Sequence, residues 1–309
     1  MNNFKHWGLK YRYIPEANYR AMWNNLVTIR LGESKDDIKE LPPDLSEFYD
    51  VGINNLCNAE CPFCYVSATG RGENFPDICE TWIKWMNSYP INRQQNISFS
   101  LRPFQIAIGS TGEPTIHPDF TKFLETVYGT NVVPNYTTNG IILSEINNPH
   151  CQEILDYTRK YVGGVAVSFG NKMIRSKAKK AIENLLKYGE CKVMIHHLIS
   201  DVESVNEFVQ AVNDYGSDIH YHVLLPLMKH GRSNKGMDEI AFKYLEAQIL
   251  TKDIKNVAFG ANFYPYLEKS KIPVSTYPQE AYSKNIILNG RIIITPSSFN
   301  LTPIKEIKL

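Results

Sequence analysis

Short apolar runs alternate with amphipathic helical patterns through most of this chain, and this alternation predicts a parallel β-sheet covered by helices. The apolar runs predict six strands, at residues 48–53, 104–109, 132–137, 165–169, 192–198 and 219–225. Between the strands, apolar positions recur with the spacing of one helix face, as at Phe120, Phe123, Leu124 and Val127. We therefore expect an α/β fold built from consecutive βα units.

The two ends of the chain predict smaller β elements. Residues 1–47 contain two strand-like runs, a polar stretch and Pro42-Pro43, and we expect a small N-terminal β-hairpin without chemistry of its own. The main domain then occupies residues 48–235. Residues 236–309 predict an extension of helix, short strand and hairpin, with Asn289-Gly290 as a type I′ turn.

Composition and charge indicate a globular chain. With 309 residues, 43% of them hydrophobic, the chain can bury a large core. Its net charge of +1 provides no field to attract nucleic acid, which is therefore not supported as a partner. The chain contains neither an apolar run of about 18 residues nor, at its N-terminus, the apolar core of a signal peptide. We expect no membrane partner and a cytoplasmic location.

Three cysteines, Cys57, Cys61 and Cys64, follow directly after the first predicted strand. Thiolates suit iron–sulfur clusters, and so short a loop can bind three irons of a cubane and leave the fourth without a protein ligand. Zinc is the alternative, but closed zinc sites use four ligands, usually in paired C-x2-C knuckles. The remaining cysteines are scattered singly: Cys79, Cys151 and Cys191. Three crowded cysteines also fit a reducing compartment, where thiolates hold metal.

The spacing of these cysteines resembles the C-x3-C-x2-C signature of the radical SAM (S-adenosylmethionine) superfamily, which has an aromatic residue next to the last cysteine. Here Phe63 and Tyr65 flank Cys64. The resemblance implies a partial (β/α)6 TIM-like barrel, with the N-terminal β-hairpin and a C-terminal α+β extension. In such barrels the reactive groups lie at the C-terminal ends of the strands, which is where the cysteine loop is predicted to be.

A second motif follows the second predicted strand. Gly112-Glu113-Pro114 resembles the Gly-Gly-Glu motif of the family, which receives the amino group of S-adenosylmethionine, although Thr111 stands in place of the first glycine. Glycine allows close approach of the backbone, and a glutamate can pair with an ammonium group. An ordinary turn is the alternative interpretation of these residues.

The ends of the third and fourth predicted strands carry weaker matches. Thr138 and Asn139 resemble the family's Thr-Asn-Gly, although asparagine before glycine is also a common turn signal. Ser168 resembles the serine that, in the subgroup containing peptide-modifying enzymes, reaches the ribose or carboxylate of S-adenosylmethionine. Arg175 matches the assisting arginine of that subgroup, and Phe169 departs from its pattern.

The fifth and sixth predicted strands end in two further candidates. Strand alternation directs only one of His196 and His197 inward, and we take His197 as the cofactor-binding residue. Leu225, followed by Gly231-Arg232, resembles the end of the family's sixth strand, where backbone groups meet the adenine.

The resemblance implies a radical SAM enzyme with one 4Fe-4S cluster on Cys57, Cys61 and Cys64. S-adenosylmethionine binds the open iron, and an electron from a small flavodoxin- or ferredoxin-like protein cleaves it to a 5′-deoxyadenosyl radical that abstracts hydrogen from the substrate. The fourth-strand motif favours a peptide or protein substrate, while a small molecule or nucleotide stays open. No cysteine follows Cys191, so the chain has no ligands for auxiliary clusters.

Two other functions remain as alternatives at this point. The chain could be a non-catalytic module that uses the three cysteines and a histidine to bind zinc, or an iron–sulfur protein that carries electrons. The sequence identifies no catalytic residue beyond the cluster ligands. If the chain is an enzyme, we expect both terminal extensions to cover the cofactor end of the barrel or to bind substrate.

Overall fold

The computed structural model describes residues 9–14, 17–24, 28–31, 41–94, 97–273 and 282–308. These residues form fifteen strands: β1 (Lys10–Ile14), β2 (Tyr19–Trp23), β3 (Thr28–Leu31), β4 (Phe48–Gly52), β5 (Ile91–Gln94), β6 (Ile97–Ser100), β7 (Gln105–Ile108), β8 (Val133–Thr138), β9 (Gly164–Ser168), β10 (Lys192–Ile199), β11 (Tyr221–Pro226), β12 (Val257–Phe259), β13 (Ser283–Leu288), β14 (Ile292–Thr295) and β15 (Lys305–Ile307). They also form seven α-helices: α1 (Ile78–Ser88), α2 (Phe120–Gly129), α3 (Pro149–Tyr161), α4 (Arg175–Tyr188), α5 (Val202–Tyr215), α6 (Glu239–Thr251) and α7 (Tyr264–Leu267).

A large sheet of ten strands organises the fold, in the order β12-β11-β10-β9-β8-β7-β4-β13-β14-β15. The six predicted strands are confirmed as β4, β7, β8, β9, β10 and β11, which lie side by side in sequence order and run parallel. Two strands that we did not assign to this sheet, β12 and β13, extend it in parallel at either side. The mixed α/β fold with a large parallel sheet is therefore confirmed.

Helices cover one face of the parallel strands. Fully buried strand residues such as Val51, Ile106 and Val165 pack against the apolar stripes of the helices, including Phe123 and Leu124 of α2. Because side chains alternate along a strand, the other face of the same strands is free to line a cavity. None of the helices in the described ranges combines the length and apolar composition that a membrane span requires.

Helix starts follow local capping chemistry. Asn148 caps α3: its Oδ1 atom accepts a hydrogen bond from His150 N at 2.9 Å. Asp201 caps α5: its Oδ1 atom accepts a hydrogen bond from Ser204 N at 2.8 Å. Ser204 Oγ accepts in turn from Asp201 N, so the serine is the third helical residue of a capping box.

The N-terminal residues form a three-stranded antiparallel sheet, β1-β2-β3, where we predicted a hairpin. Its buried side chains, among them Tyr19 and Trp23, pack on Phe104, Val133 and Tyr282. These three residues lie at the amino ends of β7, β8 and β13. The sheet therefore covers the amino end of the parallel strands, opposite the cysteine loop, and not the cofactor end. The alternative, that it helps to bind substrate, stays a prediction. The polar stretch at 32–40 lies outside the described residues.

The C-terminal hairpin is confirmed as β13 and β14. Its loop contains three residues, Asn289, Gly290 and Arg291. A type I′ turn requires positive φ at two consecutive residues. Gly290 has a φ of 62°, but Asn289 is not among the described residues with positive φ, so the turn is not the predicted type I′. Strand β13 joins the main sheet beside β4, and β14 pairs with β15.

Candidate active site

The three cysteines lie in the loop that connects β4 to α1. Cys57 N donates to Thr69 O at 2.9 Å, and Cys64 N donates to Cys61 O at 3.2 Å, which closes a turn within the motif. Glu60 adopts a left-handed φ of 46°, which allows the chain to reverse between the first two cysteines. All three thiols are half-buried and line the same cavity.

The cavity has a volume of about 750 Å³, which lies within the range of about 300–1,000 Å³ for small-ligand sites. The ends of the parallel strands contribute much of its wall. Besides the cysteines, eight of the predicted cofactor residues lie in that wall: Phe63, Tyr65, Gly112, Glu113, Thr138, Asn139, Ser168 and Leu225. Two of the predicted residues, Pro114 and His197, are not part of it.

His197 points away from the cavity. Its side chain packs against Phe208 of α5, with ring centroids 5.3 Å apart, and its Nε2 atom lies 3.0 Å from His222 Nδ1. His196 lines the cavity instead. Consecutive strand residues point to opposite faces, so the prediction of His197 as the inward histidine is wrong. Burial lowers the pKa of His196 to about 4, so the inward histidine is neutral at pH 7.

Glu113 is a buried carboxylate that organises two loops. Its Oε1 atom accepts from Thr115 Oγ1 at 2.6 Å and from Thr138 Oγ1 at 2.8 Å. Its Oε2 atom accepts from Asn139 N at 2.7 Å. Burial raises the pKa of Glu113, while these hydrogen bonds act in the opposite direction. Within the described residues Glu113 has no cationic partner, so a positively charged ligand group in the cavity would balance its charge.

The residues around Glu113 fix how its loop meets the cysteine loop. A Cβ atom added at Gly112 would lie 2.6 Å from Leu56 O, so only glycine permits this approach of the two backbones. Thr111, at the position of the missing glycine, donates from Oγ1 to Asn54 O at 2.5 Å. Pro114 begins a short 3-10 turn behind Glu113. The motif therefore holds the cysteine loop as well as facing the cavity.

Two asparagine amides approach the thiols. Asn171 Nδ2 lies 3.1 Å from Cys61 Sγ, and Asn139 Nδ2 lies 3.9 Å from Cys57 Sγ. Burial raises the pKa of both thiols, and the hydrogen bond from Asn171 acts against this for Cys61. N–H donors around sulfur are a means of tuning metal thiolates. Sequence reasoning missed Asn171, whose only local signal is that of a helix cap.

Arg232 binds the cysteine loop from the end of β11. Its Nε atom donates to Cys61 O at 2.8 Å and its Nη1 atom to Ala68 O at 2.9 Å. The Nη2 atom is buried without a hydrogen-bond partner. A guanidinium with an unused donor beside three thiols suits an anionic group bound in the loop.

The donor set is compatible with an iron–sulfur cluster, whose irons take thiolate ligands. In the part of the chain that the structure describes, no three His, Cys, Asp or Glu side chains are arranged to hold one metal ion. A cubane imposes a different requirement, because each thiolate binds a separate iron and the sulfur atoms lie farther apart than around a single ion. The three soft thiols suit the irons of such a cluster, and the amide and guanidinium N–H groups can donate to its sulfur atoms.

The fourth-strand candidates separate in the structure. Ser168 lines the cavity at the end of β9. Arg175 instead forms two hydrogen bonds with Glu207 of α5, at 2.6 and 2.7 Å, and lies over the ring of Phe169. Its charge is thus used between two helices and not in the cavity wall.

The C-terminal segment covers part of the site. Residues 296–299 lie in the cavity wall, and Phe299 stacks on Tyr65 with ring centroids 4.5 Å apart. Tyr65 donates from its hydroxyl group to Ser110 O at 3.0 Å. The expectation that the C-terminal extension covers the cofactor end agrees with this placement.

Asp50 is a cavity residue that the motifs did not indicate. It lies in the middle of β4, where its neighbours Tyr49 and Val51 are fully buried under the helices and Asp50 faces the cavity. Burial raises its pKa from 3.8 to about 7, and no charged group contributes to the shift. A lone carboxylate in an otherwise apolar strand was the available signal.

We expect Asp50→Asn to stabilise the protein at high pH when no ligand is added. The raised pKa means that the folded state binds the proton more tightly than the unfolded state, so ionisation between pH 3.8 and about 7 destabilises the fold. Because Asp50 is only partly shielded from solvent, the advantage of the variant should grow by about 1–2 kcal/mol between about pH 5 and about pH 8. Urea unfolding at both pH values measures it.

The control for this measurement is Asp218→Asn, which changes an exposed aspartate. Between the two pH values, the difference in stability between this variant and wild type should change less than the difference for Asp50→Asn. A constant difference between Asp50→Asn and wild type at the two pH values would contradict the raised pKa.

No protein-family model matches the sequence, and no curated protein matches it. Solved structures do match. SuiB of Streptococcus suis bound to precursor peptide SuiA gives a TM-score of 0.56 at 16% identity, over 82% of this chain and 60% of that chain. SuiB bound to S-adenosylmethionine gives a TM-score of 0.55 at 14% identity, over 81% of this chain and 60% of that chain.

A further solved structure, His6-tagged anSMEcpe with bound AdoMet, gives a TM-score of 0.52 at 14% identity, over 82% of this chain and 74% of that chain. The chain shares the fold of these proteins. It spans 60% of the length of the two SuiB chains.

Proposed function

We propose that this chain is a radical SAM enzyme that binds one 4Fe-4S cluster through Cys57, Cys61 and Cys64. The observation that carries the proposal is that these three thiols and the unpaired carboxylate of Glu113 line one cavity at the ends of parallel strands. The chain also shares its fold with proteins whose structures contain S-adenosylmethionine. We further propose that the six consecutive strands form a partial (β/α)6 barrel within residues 48–235, and that residues 236–309 complete the site.

When bound, the cluster and S-adenosylmethionine supply an electron and a 5′-deoxyadenosyl radical that takes a hydrogen atom from the substrate. The protein's own residues hold and shield these groups. Asn171 and Asn139 donate towards the thiolates, and Arg232 places a positive charge beside the loop. Glu113 offers its carboxylate to the amino group of S-adenosylmethionine. Phe299, stacked on Tyr65, restricts the entry of water at the mouth.

We propose a peptide or protein as the favoured class of substrate. The structure of SuiB with a precursor peptide shows that a protein of this fold accepts a peptide. No cysteine follows Cys191 in this sequence, and a small-molecule substrate is the alternative. The electron donor is proposed to be a small flavodoxin- or ferredoxin-like protein. Because six free thiols, three of them crowded together, suit a reducing compartment, we propose a cytoplasmic location.

Anaerobic reconstitution with iron and sulfide tests the proposal. We expect a brown protein with about four irons per chain and charge-transfer absorbance, which forms 5′-deoxyadenosine from S-adenosylmethionine only when dithionite is present. A colourless protein that retains one zinc would indicate the scaffold module. A redox-active cluster without 5′-deoxyadenosine would indicate an electron carrier.

A further inference from the structure

Asp50 lies at the centre of the cavity wall with neighbours that leave its charge uncompensated. Its partners in the sheet are Ala107 of β7 and Asn285 of β13. Within the described residues its carboxylate accepts no hydrogen bond and forms no ion pair, in contrast to Glu113, whose two oxygens accept four hydrogen bonds. Leaving a carboxylate shielded and unpaired is costly unless a ligand compensates it.

Asn285 adds a second acceptor beside Asp50. Thr295 Oγ1 donates to Ser297 O at 3.2 Å, so the same hydroxyl must accept the bond from Asn285 Nδ2 at 2.9 Å. This fixes the orientation of the amide and leaves Asn285 Oδ1 buried without a partner. Paired residues of neighbouring strands point to the same face of a sheet, so Asn285 lies beside Asp50, although Asn285 itself is fully buried and is not among the residues that line the cavity.

The position of Asp50 separates it from the cysteines and from Glu113. It lies within the strand, whereas Cys57 and Glu113 lie in loops beyond the strand ends. On the other side, Trp23 and Thr28 of the N-terminal sheet contribute to the wall. A group that reaches Asp50 therefore lies between the cysteine loop and the N-terminal sheet, at a depth where substrate and not cofactor would be held.

We propose that Asp50, with Asn285 beside it, binds a cationic group of the substrate, an ammonium or a guanidinium. Such a group supplies several N–H donors and a positive charge, and Asp50 is paired with neither among the described residues. Lys192 and Lys284 line the same cavity, but burial alone raises the pKa of Asp50. The raised pKa of the free carboxylate, about 7, is consistent with a site whose counter-ion is the ligand. That this cationic group belongs to a substrate rests on the proposed function. That Asp50 binds such a group does not.

The test compares two probes of similar shape, N-acetyl-lysine amide and N-acetyl-norleucine amide, which differ in the ammonium group. Calorimetric titration of the reconstituted protein should show the lysine probe binding at least about tenfold more tightly, because a hydrogen-bonded charge pair forms only with it. Asp50→Asn should bind the two probes equally. Asp218→Asn, at an exposed site, should keep the wild-type preference.

Iron content and the affinity for S-adenosylmethionine, measured on the same Asp50→Asn sample, show whether the variant is folded and loaded. Three outcomes would overturn the inference. Wild type binds the two probes equally, it binds neither probe, or Asp50→Asn keeps the preference for the lysine probe. Formation of 5′-deoxyadenosine tests the proposed function separately. If the protein forms it but shows no preference for the charged probe, only the cation site is wrong. If the protein prefers the lysine probe through Asp50 but forms no 5′-deoxyadenosine, only the assignment as an enzyme is wrong.

Discussion

The Cys61→Ala variant is expected to form no stable 4Fe-4S cluster and to lose 5′-deoxyadenosine formation by more than about 100-fold, the upper range for loss of a supporting residue around a metal. Asn171 Nδ2 lies 3.1 Å from the Sγ atom of Cys61, and the backbone oxygen of Cys61 accepts a hydrogen bond from Arg232. Its removal leaves two thiolates for three irons. Iron analysis, the charge-transfer absorbance and product formation under dithionite measure the loss.

Cys79→Ala is the matched control. Cys79 is also a half-buried free cysteine, but it lies on α1 against the core. This variant should keep wild-type iron content and product formation, apart from a small loss of stability due to packing. If Cys61→Ala retains the cluster, or if Cys79→Ala loses it to the same extent, the assignment of the ligands is wrong.

The sequence predicted the parallel strands well because each carries its signal locally. The six strand predictions agree with the structure within two residues at each end. The local pattern could not show which strand pairs with which in the sheet. The hairpin at β13 and β14 was recognised, but its pairing with β4 joins residues that are more than 200 positions apart. The direction in which the N-terminal sheet packs depends on the same kind of distant contact.

The cysteine loop and the Glu113 loop were located from the sequence because parallel strands bring their carboxyl ends to one edge. Side-chain direction was less certain. Val193, Ile195 and Ile199 of β10 are buried under the helices, and His197 shares their parity, so the apolar residues already contained the information that His196 faces the cavity. Asn171 could not be found in this way, and Arg232 was matched only to the adenine end of the sixth strand. Their contacts with the cysteine loop depend on how distant loops fold together.

Glu113→Gln is expected to weaken binding of S-adenosylmethionine to the reconstituted protein by about 100-fold or more, since the amino group loses a charged partner in a buried site. The substitution also replaces one acceptor oxygen by an NH2 group that faces donors, either Thr138 Oγ1 and Thr115 Oγ1 or Asn139 N. We therefore expect a loss of stability of about 1–3 kcal/mol as well. Equilibrium dialysis with labelled S-adenosylmethionine and urea unfolding measure the two effects on the same sample.

The two effects distinguish a ligand-binding role from a structural one. If Glu113 only ties the strand ends together, Glu113→Gln loses stability, but the folded, cluster-loaded fraction binds S-adenosylmethionine with wild-type affinity, and the pairing assigned to its amino group is wrong. If the carboxylate faces the amino group, the affinity falls even in the fully folded fraction. Glu80→Gln, at an exposed glutamate paired with Lys84 on α1, should change neither affinity nor stability by a comparable amount. Because Glu113 has hydrogen bonds but no cation among the described residues, the structure favours the second result.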